Sequence, residues 1–540
     1  MVALFAAQPL SGAMRRAGDR SAYEQVVLSI QRQINSGDLS AARAALTSAF
    51  LRYPNDGGLE NLLGVVEIQQ GHTAAAQRAF SEAIDESPDL TGAYLNLGRI
   101  LMASAARDSG ARQKAAHLYQ EVLRHDPENE DANFEYAIVL MWDGKYRTSL
   151  DHLARLPSST LGSIRVEALT CADQSGLDDK PASDREAALM EANANLREED
   201  VMLAFPVLRA AHRADLIAKL LAAANRRSPL SVKGLRLLGL AQEAEGKLND
   251  ARATLTQVYE MDSSWAEPLV DLTRISLAEK NYREALGYLA HARALEPDNA
   301  SFAYEFGLIC VRLGLLDATI KAMGDAVKLA PNNPGYNLSM GLITSLGFTP
   351  EVAIPYLKKY HAMRPEDPEG VLALGTGYFR AGELEEASVW LDEAAKFPKT
   401  EGRAHYFLGR ILVQYGHYHQ AVEQLKEAAS VSNPRADVYV ELGNSYIYLK
   451  EYAVAEKVLD RAIQLDPNSY NANLALLKVY SLTKDPRQSE QRKRFLAVHS
   501  EKEKEYVDAL RTISERPLLR MKRANLPAES EGAGGGGTRQ

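Results

Sequence analysis

Apolar residues in 437–450 recur at three- and four-residue spacing, as Val438, Leu442, Tyr446 and Leu449. That is the period of a helix with one buried face. A short turn at 450–452 separates this run from a second amphipathic one carrying Val454, Val458, Leu459, Ala462 and Ile463. Asp466, Pro467 and Asn468 end it, because proline cannot continue a helix and Asx side chains favour turns and caps. The same pairing of runs recurs along the chain, and no alternating Val/Ile/Thr pattern of a strand interrupts it. The pattern predicts an all-α fold built of helix pairs.

The pairs repeat every 34 residues. Gly239, Gly307, Gly341, Gly375, Gly409 and Gly443 fall on one lattice, with Thr273 at the seventh point. Twelve residues after each point stands a small residue: Ala251, Ala285, Thr319, Ala353, Ala387, Ala421 and Ala455. Proline closes several units, at Pro297, Pro331, Pro365 and Pro467. A period of this length means a solenoid whose units are each too small to fold alone. Gly443 and Ala455 are expected to form the close contact between the helices of their unit, with Leu442 and Leu459 packed around it.

Carried backwards, the lattice places units at 23–56, 57–90 and 91–129, then one from 130. The third is five residues long for its period, with the excess around Ala106 to Gly110. Residues 164–231 span twice 34 but lack the glycine and alanine markers, so they read as two degenerate units, or alternatively as a hinge. Their stretch 173–184 (DQSGLDDKPASD) carries turn residues and charge and is expected to be an exposed loop. The domain reading is 1–22 amino-terminal segment, 23–163 repeats, 164–231 degenerate repeats, 232–469 seven regular repeats, 470–513 capping helices and 514–540 a disordered Gly-rich tail. Residues 489–513 form a long helix of mixed charge, suited to closing an open solenoid end.

The residues with this spacing resemble the tetratricopeptide repeat (TPR) family: Leu442, Gly443, Tyr446, Ala455, Leu459, Ala462 and Pro467 match its pattern position by position. The resemblance covers about thirteen units over 23–469. It implies a right-handed superhelical solenoid of antiparallel helix pairs, whose first helices line a concave groove for a peptide or a partner's helix.

Composition narrows the function classes. The net charge is −9 over 540 residues, which argues against a general nucleic-acid partner. Cys171 and Cys310, the only cysteines, can make neither a disulfide framework nor a thiolate metal site, and both read as buried. No run reaches the ~18–20 apolar residues of a membrane helix. Residues 1–13 have an apolar run of secretory length without a preceding cation, so location is either cytoplasmic or, through a truncated signal peptide, exported.

No phosphate loop, zinc-protease helix, nucleophile elbow or CxxC pair occurs, so no catalytic residue, cofactor or metal is expected. His417 and His419 turn apart on a helix, and Gly375 and Gly377 lie inside one. The reading is a non-catalytic scaffold or adaptor for a protein or peptide. One alternative is a regulatory subunit of an enzyme whose catalysis lies in a partner. Another, weaker one is a cryptic transferase in 164–231. The candidate peptide groove is Arg403, Tyr406, Arg410, Asn444, Tyr448 and Lys478. The chaperone-binding clamp known in the family is not reproduced, because Val440 stands where a lysine would precede Asn444. A secondary candidate surface is Phe134, Met141 and Trp142.

Overall fold

The computed structural model describes residues 17–104, 109–346 and 350–500. Every regular element among them is a helix. Contacts divide the chain into two compact units, one ending at Leu295 and the other beginning at Glu296. Each is a right-handed superhelical run of antiparallel helix pairs.

One pair shows how the sequence builds them all. Helices Ala436–Tyr448 and Tyr452–Leu465 turn Val438, Leu442, Tyr446, Leu459 and Ile463 inward, each under 10% exposed. Burying such side chains contributes about 1.5–3 kcal/mol apiece. The glycine has a single purpose here, which is to admit a leucine. A Cβ on Gly443 would stand 2.5 Å from Leu459 Cδ2. The three nearest atoms all belong to Leu459 rather than to the expected partner Ala455, which is fully buried. The pairing lies sixteen residues on, and it repeats as Gly239 with Leu255, Gly341 with Leu357, Gly375 with Leu391 and Gly409 with Leu425. In the two repeats with Gly64 and Gly98, aromatic rings take the leucine's place: Phe80 faces Gly64, and Tyr119 faces Gly98. Gly98 and Tyr119 are twenty-one residues apart, so the five extra residues fall between them. Of the expected loop there, 106–108 lie outside the described residues, while Ser109 and Gly110 open helix Ser109–His125.

A second lattice sets the turn between helices. Seven residues after six of the seven marker points the backbone is left-handed, at Gly246, Gly314, Gly382 and Gly416, and also at Lys280 and Lys450; the seventh, 348, lies outside the described residues. The same register holds at Gly37, Gly71 and Gly144, then at Asp178 and His212 within 164–231, and at Lys484. The turn therefore recurs where the glycine and alanine markers are missing.

Junctions between pairs carry a further device. Asn337 donates through Nδ2 to the Pro331 carbonyl at 2.9 Å and to Asn333 O at 2.8 Å. Asn133 and Asn473 do the same to Pro127 and Pro467, at 2.9 and 3.1 Å. All three asparagines are fully buried. Each ties the carbonyl of a helix-ending proline, otherwise left unmatched, to the next first helix.

One sequence expectation is corrected in 164–231. Residues 173–184 are not an exposed loop: helix Ile164–Gly176 runs through Asp173, and helix Lys180–Ala192 begins with Pro181 in its first turn. Asp173 and Ser183 are fully buried. Arg213, itself buried, reaches Ser183 Oγ at 2.6 Å and Asp215 at 2.8 Å and also pairs with Asp184, which fastens the segment together. Cys171 packs in the same core; burial pushes its thiol up to about 12, so it stays protonated and unreactive.

At the carboxyl end, helix Tyr470–Thr483 is followed by a helix described from 488 to 500. Gln491 is buried and donates to Asn473 O at 3.1 Å, while Tyr470 and Phe495 rings meet at 5.1 Å. Residues 501–513 of the expected cap, the 514–540 tail and residues 1–16 lie outside the described residues.

Candidate functional site

In the second unit the first helices stand side by side, so residues 34 apart form columns across their open face. Packing links the neighbours Pro334–Ser345, Pro368–Ala381, Glu401–Gln414, Ala436–Tyr448 and Tyr470–Thr483. The column one residue after the marker reads Leu308, Leu342, Thr376, Arg410, Asn444 and Lys478. In the first unit, by contrast, the same register at Val65 and Ile138 is buried. Arg99 there is bound by Glu135 at 2.7 Å and Asp131 at 3.1 Å. Further along the first unit the column opens, with Arg274 exposed and paired to Glu243.

Arg403, Tyr406 and Arg410 meet in one hollow of about 700 Å³. Its lining includes Phe379, Phe407 and five cations, Arg380, Lys399, Arg403, Arg410 and Arg435, against the single carboxylate of Asp437. The Arg410 guanidinium lies 5.0 Å from the Phe379 ring centre and 5.7 Å from that of Tyr406. Such stacking orients the guanidinium and leaves its edge for an anion. Carboxylates of the chain itself hold the outer side: Glu369 reaches Arg403 at 2.6 Å, and Glu441 lies 3.8 Å from Arg410. Burial raises the Glu441 carboxyl above its ordinary range, with Arg410 pulling the other way. Burial also raises the Tyr406 phenol, helped by Asp437, so it remains a neutral donor. Arg380 is exposed and makes no ion pair among the described residues.

Asn444 and Lys478 line an adjoining hollow with Glu441, Asn471 and Leu474. Tyr448 lines neither hollow; its ring stacks on Tyr418 at 4.5 Å and carries Lys478 Nζ 5.2 Å away. The six predicted residues thus divide into two neighbouring hollows and one exposed aromatic stack. The secondary candidate surface does not hold together: Met141 is 1% exposed and belongs to the core. Trp142 and Phe134 are half-buried against that core, with Arg165 4.8 Å over the Phe134 ring. In this unit helices Ile164–Gly176 and Glu198–Ala210 pack onto Glu130–Trp142 and cover these side chains.

Sequence reasoning missed an apolar stretch on the same open face. Leu308, Val311, Leu342 and Leu346 are 42%, 48%, 42% and 66% exposed. Their signal was available, since Leu308 and Leu342 directly follow marker glycines as Arg410 and Asn444 do.

Among the described residues no group of three or more His, Cys, Asp or Glu is placed to hold a metal, and no helix is long and apolar enough to cross a membrane. The fold and its open inner face define a helical-repeat solenoid of the protein-interaction class. TPR family models match residues 30–91 and 274–334, 106–170, and 436–469. A further model, described as "Anaphase-promoting complex, cyclosome, subunit 3", matches 351–428. The chain belongs to the tetratricopeptide repeat family. No curated protein matches it. Among solved structures it is similar to the APC/C hetero-tetramer Cut9-Hcn1, at 16% identity and TM-score 0.35, over 84% of this chain and 96% of that one. A likeness to Naa15/Naa10 bound to HypK-THB covers 91% of this chain and 96% of that one, at 12% identity and TM-score 0.38. A TPR protein from Parabacteroides merdae covers 46% and 98%, at 15% identity and TM-score 0.37.

Proposed function

We propose that the chain is a non-catalytic scaffold that holds a segment of a partner protein on the inner face of its second unit. The hollow around Arg410 carries this reading: five cations and three aromatic rings converge on a space of peptide-binding size. Stacked arginines favour carboxylates, which they can grip through two parallel hydrogen bonds.

The test is capture of partner proteins from the source lysate by the full chain and by Arg403→Ala/Arg410→Ala/Asn444→Ala. None of the three is a buried packing residue, so the variant should melt with the parent while its captured partners diminish. Undiminished capture by a variant of parent stability would place binding elsewhere on the chain.

A further inference from the structure

The inner face of the second unit changes chemistry along its length. Leu308, Val311, Leu342 and Leu346 give it four exposed aliphatic side chains on two neighbouring first helices. Those helices are joined face to face, with the Tyr304 hydroxyl 2.9 Å from Ser339 Oγ. Two helices beyond Leu342, the Leu308/Leu342 column presents Arg410, with Arg403 seven residues earlier on the same helix. An aliphatic patch of this kind on a water-facing groove marks an interaction site. The charge beside it limits what can lie there.

We infer that this face reads a two-part segment of a partner protein: aliphatic side chains at one end and a cluster of carboxylates at the other. The inference rests on the groove reading above and specifies its ligand. The cationic end already accepts carboxylates, because Glu369 and Glu441 of the chain itself sit against Arg403 and Arg410. Glutamate and aspartate side chains of a partner are therefore matched in geometry as well as in sign. At the aliphatic end the Leu308/Leu342 column carries no charged group and suits leucine-type side chains, while Arg312 stands exposed one residue after Val311. Neighbouring helices stand about 8–10 Å apart, so two steps separate the ends by roughly 20 Å. An extended chain covers that span in about six residues.

The test uses the full chain and fluorescein-labelled synthetic peptides of about fourteen residues, read by anisotropy. One peptide carries two leucines, a spacer of about six uncharged residues and four glutamates. A second replaces the leucines by serine, and a third replaces the glutamates by glutamine. Both orders of the ends are made. The complete peptide should bind at least about tenfold tighter than either half-peptide, the gain set by burying the leucines at one end and pairing the charges at the other. Leu308→Ser/Leu342→Ser should erase the advantage of the leucines and leave that of the glutamates. Arg403→Ala/Arg410→Ala should do the reverse. All four positions are solvent-facing, and a thermal melt equal to the parent's verifies the fold of each variant.

Equal binding of the complete and serine peptides would overturn the two-part inference and leave the cationic groove standing. No binding of any peptide, with partner capture still dependent on Arg403 and Arg410, would do the same. Loss of both would remove the groove reading as well. A concentration-dependent dimer in sedimentation, abolished by Leu308→Ser/Leu342→Ser, would assign the aliphatic end to a second copy and overturn the inference.

Discussion

Leu459 lies over Gly443 so closely that a single added carbon would stand 2.5 Å from its Cδ2 and 2.6 Å from its Cγ. Alanine in a helix interior is ordinarily better than glycine by roughly 0.5–1 kcal/mol. Here the sign should invert. Gly443→Ala should lose about 1–3 kcal/mol to overpacking. Gly287→Ala, in helix Tyr282–Leu295 with nothing within 4 Å of the new carbon, should gain stability. Adding Leu459→Ala to Gly443→Ala should cost less than the two single losses together, since the clash is then gone. Urea unfolding of the four variants measures all of this; additive losses would refute the contact.

The turn lattice separates backbone conformation from packing. Gly416 has a φ of 76° and open space around an added Cβ. Gly416→Ala should nevertheless cost about 1–2 kcal/mol, the penalty of a left-handed backbone for a residue with a Cβ. Lys450, with a φ of 65° at the same point of a later repeat, bears that penalty already. Lys450→Gly should therefore raise the melting temperature, and an unchanged or lower value would contradict the assignment.

Asp173 makes stability depend on pH. Its side chain is fully buried, and neither carboxylate oxygen has a hydrogen-bond partner. The nearby Ser149 hydroxyl is given instead to the Ala137 carbonyl at 3.0 Å. Burial pushes the Asp173 carboxyl up to about 7. A folded value above the unfolded one of about 3.9 means the native state binds the extra proton. The contribution is complete below about pH 4 and is lost as pH rises through about 7. Asp173→Asn should flatten this decline and be the more stable protein at pH 8. Glu60, also raised to about 7 by burial, leaves a residual slope. Parallel curves for parent and variant between pH 5 and 8 would show that Asp173 does not carry the effect.

The helix pairs and their period were legible because packing acts on every unit alike. The pairing of Gly443 with Leu459 occurs five times over, and repetition makes a weak local signal plain. The residue opposite each glycine was misread because a sequence shows that a close contact is needed but not which side chain enters it. The second lattice was equally visible at Gly246, Gly314, Gly382 and Gly416. It continues at Asp178 and His212, where nothing in residue type announces a left-handed backbone. The stretch 173–184 was misjudged because charge suggested water, whereas Asp173 lies in the core and Asp184 is paired with the buried Arg213.

For the candidate site, periodicity alone put Arg403, Tyr406 and Arg410 on one face. It could not tell an open face from a filled one. Met141 and Leu342 both occupy first-helix positions of the inner columns, yet one is sealed in a core and the other lies bare. That difference is set by the bulk of neighbouring helices, which no single unit's sequence contains.

The Glu369 and Glu441 carboxylates beside Arg403 and Arg410 make any acidic ligand a competitor with the chain itself. Docking becomes an exchange of one carboxylate for another, with little net change in ion pairing. Screening by salt then weakens the resident and the incoming pair together, so affinity should fall less steeply with ionic strength than a bare cluster of five cations would suggest. A lone acidic residue gains nothing from such an exchange. Only a ligand that brings several carboxylates at once, or contacts beyond them, can evict both residents.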